Sequence, residues 1–301
     1  MSVVEKLMNT FKGVSFTLKE AYEAVPEKSS DSVRARIYEN LGKAFQKLGR
    51  GVYITKEMDC ILIEGDGRDL SMLEDESIDC IITDHPWDDK KANRGGSRNF
   101  ASYDCFEYTA FDFTEKARVL KEGSFLCECI PDESATNFDY LYRLKKMAEL
   151  HGFQYYAKIP WWKGTFVSNT GRKSKRSEDI IIFSKGKPRA LRFDAQRSKK
   201  NGSDTFMSGT SGMLPAKFDV QAVSEKDRIS QSEKPSLLFE QLLEFVTLEN
   251  EVVLDQFAGS GAVAAACKAK NRNCILIEKS LSQVQKIVNR LSMNIIPIPQ
   301  T

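Results

Sequence analysis

The 301-residue sequence is poor in histidine, with two in all, His85 and His151, and it holds three tryptophans. Two histidines far apart cannot complete a four-ligand zinc site around Cys127-Glu128-Cys129, because no second Cys/His pair lies near that segment. No metal is therefore expected. The seven cysteines are odd in number, and most sit in apolar, strand-like runs. They read as buried reduced thiols and not as a disulfide framework. No stretch approaches the roughly 20 apolar residues of a membrane span. The opening residues, MSVVEKLMNTFKG, form an amphipathic helix pattern without an apolar h-region or a small-residue cleavage site. That pattern carries no secretory signal and leaves a cytoplasmic location as the expectation. Net charge is also small, +2 at pH 7, so the overall balance says nothing about a polyanionic partner. No Gly-Lys-Ser/Thr follows a glycine turn, which excludes a phosphate-binding P-loop. No nuclease motif is visible.

The distribution of charge says more. Between Lys158 and Lys200 lie Lys163, Arg172, Lys173, Lys175, Arg176, Lys185, Lys187, Arg189, Arg192, Arg197 and Lys199, opposed by Glu178, Asp179 and Asp194. Such a block is either a solvated surface or the footprint of a polyanion-binding site. Trp161 and Trp162 fit best as packing beneath it.

The first part of the chain, residues 1–56, reads as a small separate unit. A helix is expected from Val3 to Phe11. Thr17 with Glu20 three residues on is a capping box for a second helix, which Pro26 ends. A third helix starts near Ser30-Asp31, with a stripe of Val33, Ile37, Leu41 and Phe45 that predicts it to run to about Lys47. Leu48-Gly49-Arg50-Gly51-Val52-Tyr53-Ile54 reads as a tight hairpin. Three helices and a glycine-turned hairpin resemble a winged helix-turn-helix. That resemblance implies that the third helix enters the major groove of DNA, with Arg34, Arg36, Asn40 and Lys43 facing it and Arg50 on the wing. A helical unit for protein contacts is the other reading.

From about residue 57 onward, strands and helices alternate. Strands are expected at Asp59–Asp66, Ser77–Thr83, Ser124–Ile130, Tyr155–Ile159, Ser177–Phe183, Glu251–Asp255 and Cys274–Glu278. Helices are expected at Asp112–Leu120, Phe138–His151 and Ala262–Ala269. Alternation of this kind predicts an α/β fold with a doubly wound, mostly parallel sheet. Near the C-terminus a strand ends in Asp255, and Phe257-Ala258-Gly259-Ser260-Gly261 then opens a helix. The next strand ends in Glu278. Glycines let a backbone approach a ligand closely, and an acid at a strand end can accept from ribose hydroxyls. This is the logic of nucleotide binding at the carboxyl ends of parallel strands.

Several segments together resemble the β class of S-adenosylmethionine-dependent DNA amino-methyltransferases. Asp255-Gln256-Phe257-Ala258-Gly259-Ser260-Gly261 is similar to their cofactor-binding motif I. Ser232-Glu233-Lys234-Pro235-Ser236-Leu237-Leu238 is similar to their motif X, and Asp84-His85-Pro86-Trp87 to their catalytic tetrapeptide, usually Asp/Asn/Ser-Pro-Pro-aromatic. Gly65-Asp66, Trp162-Lys163 and Glu178 to Gly186 also follow the pattern. The likeness covers about residues 58–290, in the permuted order catalytic motif, target-recognition segment, motif X, motif I. His85 stands where the family has proline, Trp87 where it more often has tyrosine or phenylalanine, and Ala262 where it often has threonine.

The resemblance implies a Rossmann-like methyltransferase domain over residues 57–301, with residues 187–231 as the target-recognition insertion. It assigns Asp84, His85, Pro86 and Trp87 to catalysis. Asp255, Phe257, Ala258, Gly259, Ser260, Gly261, Glu278, Lys234, Ser236 and Asp66 are assigned to the cofactor. Arg172, Lys173, Lys175, Arg176, Lys199 and Lys200 would contact DNA phosphates, which position a duplex without reading it. An aspartate at the head of the tetrapeptide implies N6 of adenine, in a base flipped out of the helix. N4 of cytosine is the alternative, and so is a weakly catalytic regulator that binds DNA and senses S-adenosylmethionine. An enzyme acting on RNA or on a protein glutamine is disfavoured by the motif order. The partner implied is double-stranded DNA. The family also admits a homodimer and a separate restriction endonuclease.

Overall fold

The computed structural model describes residues 2–11, 14–41, 44–55, 60–87, 105–167, 173–191, 198–199, 206–207, 214–230, 232–291 and 295–296. The N-terminal part runs α1 (Val3–Thr10), β1 (Ser15–Thr17), α2 (Leu18–Ala24), α3 (Ser30–Glu39), β2 (Phe45–Gly49) and β3 (Val52–Thr55). The three strands form an antiparallel sheet in the order β1-β3-β2. Ser2 and Thr17 cap α1 and α2 in capping boxes with Glu5 and Glu20, each satisfying amides that a helix start leaves unpaired. Leu7, Phe16, Val33, Ile37, Phe45 and Tyr53 make a core of their own here.

The third helix is shorter than its apolar stripe predicts. It ends at Glu39, where Asn40 turns its side-chain amide back to the carbonyl of Arg36 at 2.8 Å. Phe45 is buried from β2 instead, opposite Thr55. A residue four positions past Leu41 can reach the same core from a strand, so the spacing did not settle the helix. Lys47, expected on that helix, lies on β2 and pairs with Glu74 at 3.0 Å. The hairpin anchors this unit to the rest of the chain, because Leu48 and Ile54 join the core of the larger sheet.

The larger part contains β4 (Cys60–Glu64), β5 (Ile78–Thr83), α4 (Ala110–Val119), β6 (Leu120–Pro131), α5 (Phe138–Leu150), β7 (Phe153–Val167) and β8 (Lys173–Lys185). Next come β9 (Ser198–Lys199), β10 (Phe206–Met207), α6 (Ser236–Val246), β11 (Val252–Asp255), α7 (Ala262–Ala269), β12 (Asn273–Glu278), α8 (Leu281–Leu291) and β13 (Ile295–Ile296). The main sheet has the order β13-β4-β12-β11-β5-β6-β8-β7. It is parallel from β13 to β6, and β8 then runs antiparallel to both β6 and β7. Alternate residues of one strand feed opposite cores. Cys274 and Leu276 of β12 meet α6, α7 and α8, while Ile275 and Ile277 meet the side holding α4 and α5. That is the doubly wound α/β architecture.

The larger part also differs from the sequence reading. The segment expected to be a basic loop before Ser177 is strand. β7 continues to Val167 and β8 begins at Lys173, so the two pair as a long hairpin with Thr165 opposite Lys175. Helices α6 and α8 had no counterpart in the sequence reading, although Leu238, Leu242 and Val246 follow a helical stripe on α6. No helix among the described residues is long and apolar enough to cross a membrane.

Candidate active site

Parallel pairing puts the ends of β4, β12, β11 and β5 on one edge of the sheet, and the expected catalytic and cofactor residues other than Lys234 and Ser236 lie at or after those ends. After β11 the chain turns through Gly259 (φ 53°) and Gly261 (φ 74°) into α7. Both glycines adopt left-handed backbone, which a side chain resists. The Gly259 amide donates to Glu278 Oε2 and the Ser280 amide to Oε1, each at 2.8 Å. The Phe257 amide donates to Asp255 Oδ1 at 3.2 Å. Burial pushes the Asp255 carboxyl up to about 8, with the nearby charges of Asp84 and Glu278 adding to the shift. The loop after β4 closes on the same turn. Gln256 donates to the Gly67 carbonyl at 2.6 Å, while its own side-chain carbonyl has no hydrogen-bond partner among the described residues. Asp66 pairs with Arg68 at 2.7 Å. Ser260 is buried, and Ser236 is the first residue of α6.

Asp84 follows β5 directly. Its Oδ2 accepts from the ammonium of Lys234, which also lies 3.2 Å from Glu178 Oε2. Glu178 in turn pairs through Oε1 with Lys163. Four charges of alternating sign thus line up as Asp84, Lys234, Glu178 and Lys163. Burial raises the Asp84 pKa above the usual carboxylate value, and Lys234 opposes the rise. Burial also works against the charge on Lys234, but Asp84 and Glu178 outweigh it and hold the ammonium pKa up. Asp84 keeps 29% of its side chain open, against 10% for Lys234. Lys234, expected at the cofactor, is therefore clamped between two carboxylates.

His85 and Trp87 enter an aromatic floor. The His85 ring lies 4.0 Å from Trp87 and 4.3 Å from Tyr108, centroid to centroid. Trp87 is half-buried and donates its indole N–H to the Cys129 carbonyl at 3.3 Å. The Pro86 carbonyl accepts from the Phe106 amide at 3.4 Å. Beneath them Lys116 and Glu128 form an ion pair with no exposed surface.

Glu178, Lys163, Lys116, Glu128, Tyr108 and Tyr140 were not among the sequence-derived site residues. A signal existed for four of them, since Lys163 and Glu178 lie in segments that follow the family pattern. Glu128 interrupts the apolar run Phe125 to Ile130, and Lys116 falls on the face of α4 that buries Phe113 and Val119. Charges in such places are almost never buried unless paired.

The residues expected at DNA lie elsewhere. Arg34, Arg36 and Arg50 are exposed. Arg36 pairs with Glu39, and Arg34 lies 3.6 Å from Asp31. Asn40 caps the end of α3. Lys173, Lys175 and Arg176 lie on β8 and Lys199 on β9. Lys43, Arg172 and Lys200 fall outside the described residues. In the expected insertion, Arg189 is tied to Glu251 at 2.5 Å, and Val220 accepts from the Trp161 indole at 2.8 Å. Trp161 is buried, as a packing role requires. No cluster of three or more His, Cys, Asp or Glu side chains suited to a metal occurs among the described residues.

Comparison with known proteins decides the family. The model of the N6/N4 DNA methylase family matches residues 78–289. The chain belongs to that family. It is a β-class DNA amino-methyltransferase, and S-adenosylmethionine is its methyl donor. The type II methyltransferase M.HpaI of Haemophilus parainfluenzae is 28% identical over 229 residues, covering 74% of this methyltransferase and 70% of the relative. The solved M1.HpyAVI–SAM complex superimposes with a TM-score of 0.51 at 20% identity, over 77% of this chain and 99% of that one. The PvuII cytosine-N4-specific DNA methyltransferase gives 0.52 at 15% identity, over 81% and 98%. At these identities the two structures speak for the fold. The glycine turn flanked by Asp255 and Glu278 fits the donor. It offers two glycines without side chains, two carboxylates on neighbouring strand ends, and a Gln256 side-chain carbonyl that has no partner among the described residues.

Proposed function

We propose that this methyltransferase modifies N6 of adenine in double-stranded DNA, on a base flipped into the cleft beside Asp84. The observation that carries the reading is the state of the Asp84 carboxylate. Lys234 holds Oδ2, and among the described residues Oδ1 has no hydrogen-bond partner. One oxygen is anchored and the other is left to accept from an amine.

An exocyclic amine is a poor nucleophile because its lone pair is delocalised into the ring. Bound S-adenosylmethionine supplies a methyl group activated on a sulfonium. Asp84 Oδ1 and the His85 carbonyl accept the two amine hydrogens and draw the nitrogen toward tetrahedral geometry, which localises its lone pair for attack. The exposed part of Trp87 stacks on the base. Holding the nitrogen in line contributes several kcal/mol of barrier reduction, of the ~7–11 kcal/mol that orientation can supply. As the nitrogen gains positive charge, the Asp84 carboxylate offsets it in a largely enclosed site. The burial that lifts its pKa also suits it to receive the amine proton afterwards. Asp255 and Glu278 would hold the donor, Glu278 as an acceptor for ribose hydroxyls and Asp255 as a carboxylate matched to its positive charge. Asp66, Lys234 and Ser236 flank this pocket.

An aspartate at the head of the tetrapeptide favours adenine over cytosine in this family. Residues 1–56 are read as a winged helix-turn-helix, supported by the order α1-β1-α2-α3-β2-β3 and the strand order β1-β3-β2. Exposed Arg34, Arg36 and Arg50 would grip the duplex there, and the β7–β8 hairpin with Lys173, Lys175 and Arg176 would grip it beside the cleft.

The test is methyl transfer from labelled donor to unmethylated genomic DNA, read by nucleoside mass spectrometry. N6-methyladenine is expected. Asp84→Asn should lower the rate by at least about a hundredfold, since it removes a charged acceptor at the reacting atom. N4-methylcytosine would overturn the base assignment. Binding of both donor and DNA without transfer would favour a regulator.

A further inference from the structure

We propose that His85 is a positioning residue for methyl transfer, its imidazole fixing the turn from Asp84 to Trp87 through Tyr140 and Glu128. The inference rests on the assignment of Asp84–Trp87 as the transfer loop.

At this position the family's proline restricts the backbone covalently. Histidine leaves φ free, so the turn must be held by other means. The imidazole is 1% exposed. It lies against Trp87 and Tyr108, and Nε2 is 2.9 Å from the Tyr140 hydroxyl. That hydroxyl already accepts from the Tyr108 amide at 3.0 Å. It has one proton, and among the described residues Nε2 is the acceptor within reach. Tyr140 therefore donates to Nε2, and the ring proton belongs on Nδ1. That nitrogen lies 3.7 Å from Glu128 Oε2, too far for a formed hydrogen bond but facing the matching charge.

The rest of the network fits this polarity. Lys116 donates to the Tyr108 hydroxyl at 2.9 Å and to Glu128 Oε1, and Tyr108 lies 3.4 Å from Glu128 Oε2 as its donor. Lys116 from α4 and Glu128 from β6 cancel, so a neutral ring completes an uncharged cluster. Burial keeps His85 below its ordinary pKa; Lys116 acts in the same direction, while Glu128 and Asp84 oppose. Three elements, α4, β6 and α5, thereby hold one ring. The ring holds the main chain whose carbonyl meets the amine, and it supports Trp87. Displacement of such groups by about 1 Å costs on the order of a hundredfold in rate.

The experiment uses the full-length protein labelled with 15N-histidine, which has two imidazoles to observe. His85 should show the neutral Nδ1–H tautomer at pH values where an ordinary imidazole is already protonated, because burial holds its pKa down. Tyr140→Phe should abolish the tautomer preference and lower kcat about tenfold, the worth of one buried hydrogen bond, with KM for donor and DNA within about twofold. In a His85→Pro background the same Tyr140→Phe change should cost less than about twofold, because proline restores the restraint. A Tyr140 with a merely structural role would cost the same in both backgrounds, and that result overturns the proposal. So does an unchanged tautomer and kcat in Tyr140→Phe, which remains decisive if His85→Pro does not fold. Asp84→Asn separates the two readings. Transfer surviving in Asp84→Asn removes the loop assignment, whereas a dead Asp84→Asn beside a fully active Tyr140→Phe removes the His85 proposal alone.

Discussion

The two halves of the proposed site are built from different materials. On the donor side, backbone does most of the shaping. Gly259 and Gly261 take left-handed conformations, amides of Gly259 and Ser280 hold Glu278, and all of it lies within one strand–helix–strand unit. On the transfer side, buried side-chain charges do the work. Asp84, Lys234, Glu178 and Lys163 form one chain, and Lys116, Glu128, Tyr108, His85 and Tyr140 form another. A backbone-built site is sensitive to added atoms and tolerant of lost charge. A charge-built site has the opposite weakness, because each partner removed leaves another ion without water.

The largest effect should therefore come from breaking an ion pair on the transfer side. Lys116→Met leaves Glu128 uncompensated in a fully enclosed place, and about 3–5 kcal/mol of stability should be lost in denaturant unfolding. Adding Glu128→Gln to that variant should recover part of the loss, since the stranded charge is gone. If the double variant is no better than the single, the cost is packing and the contrast between the halves is weaker than drawn. On the donor side the matching lesion is an added methyl group. A Cβ on Gly67 would lie 1.8 Å from the Gln256 carbonyl oxygen and 2.8 Å from the Phe257 ring. Gly67→Ala should cost about 1–3 kcal/mol by forced backbone movement, and it should weaken donor binding in calorimetry while His85 keeps its tautomer. Loss of the tautomer as well would show that the two halves are mechanically one.

The same division explains what the sequence could disclose. The donor side is contiguous, so strand, glycine turn, helix and acid were readable in order, and α7 covers the expected Ala262–Ala269. Asp84 and Trp87 were readable because their tetrapeptide is local. The place of Glu178 and Lys163 beside Asp84 was not, because only the β7–β8 register and the arrival of Lys234 make them its neighbours. Glu128 reaches His85 because β6 lies beside β5, with Thr83 opposite Glu128. The helix α3 was overdrawn for a related reason, since Phe45 serves a core that both a helix and a strand could reach. Pairing between distant strands is absent from any local pattern.

The last expected effect lies on the donor side and is spread over pH. Burial pushes Asp255 up to about 8, whereas in the unfolded chain a carboxyl titrates at about 4. Between about pH 4 and 8 the folded, empty protein therefore holds a proton that the unfolded chain has lost. The stability linked to this group is present at the acid end of that window and is lost as pH rises toward 8. A cationic ligand reverses the preference, because it favours the ionised carboxylate. Donor affinity should then rise with pH, by up to about tenfold per unit between roughly pH 5.5 and 7.5, where the ligand's own amine stays protonated. Binding should release about one proton in that range, measurable by calorimetry in buffers of different ionisation enthalpy. Asp255→Asn should flatten the profile, weaken binding at pH 7.5 and raise the thermal midpoint of the empty protein at pH 8. This is the reverse of what Lys116→Met does across the site, where losing a charge lowers stability at every pH at which Glu128 is ionised. A flat profile in the unmodified protein would place the cationic end of the donor away from Asp255. The carboxylate would then serve only the turn, through the Phe257 amide.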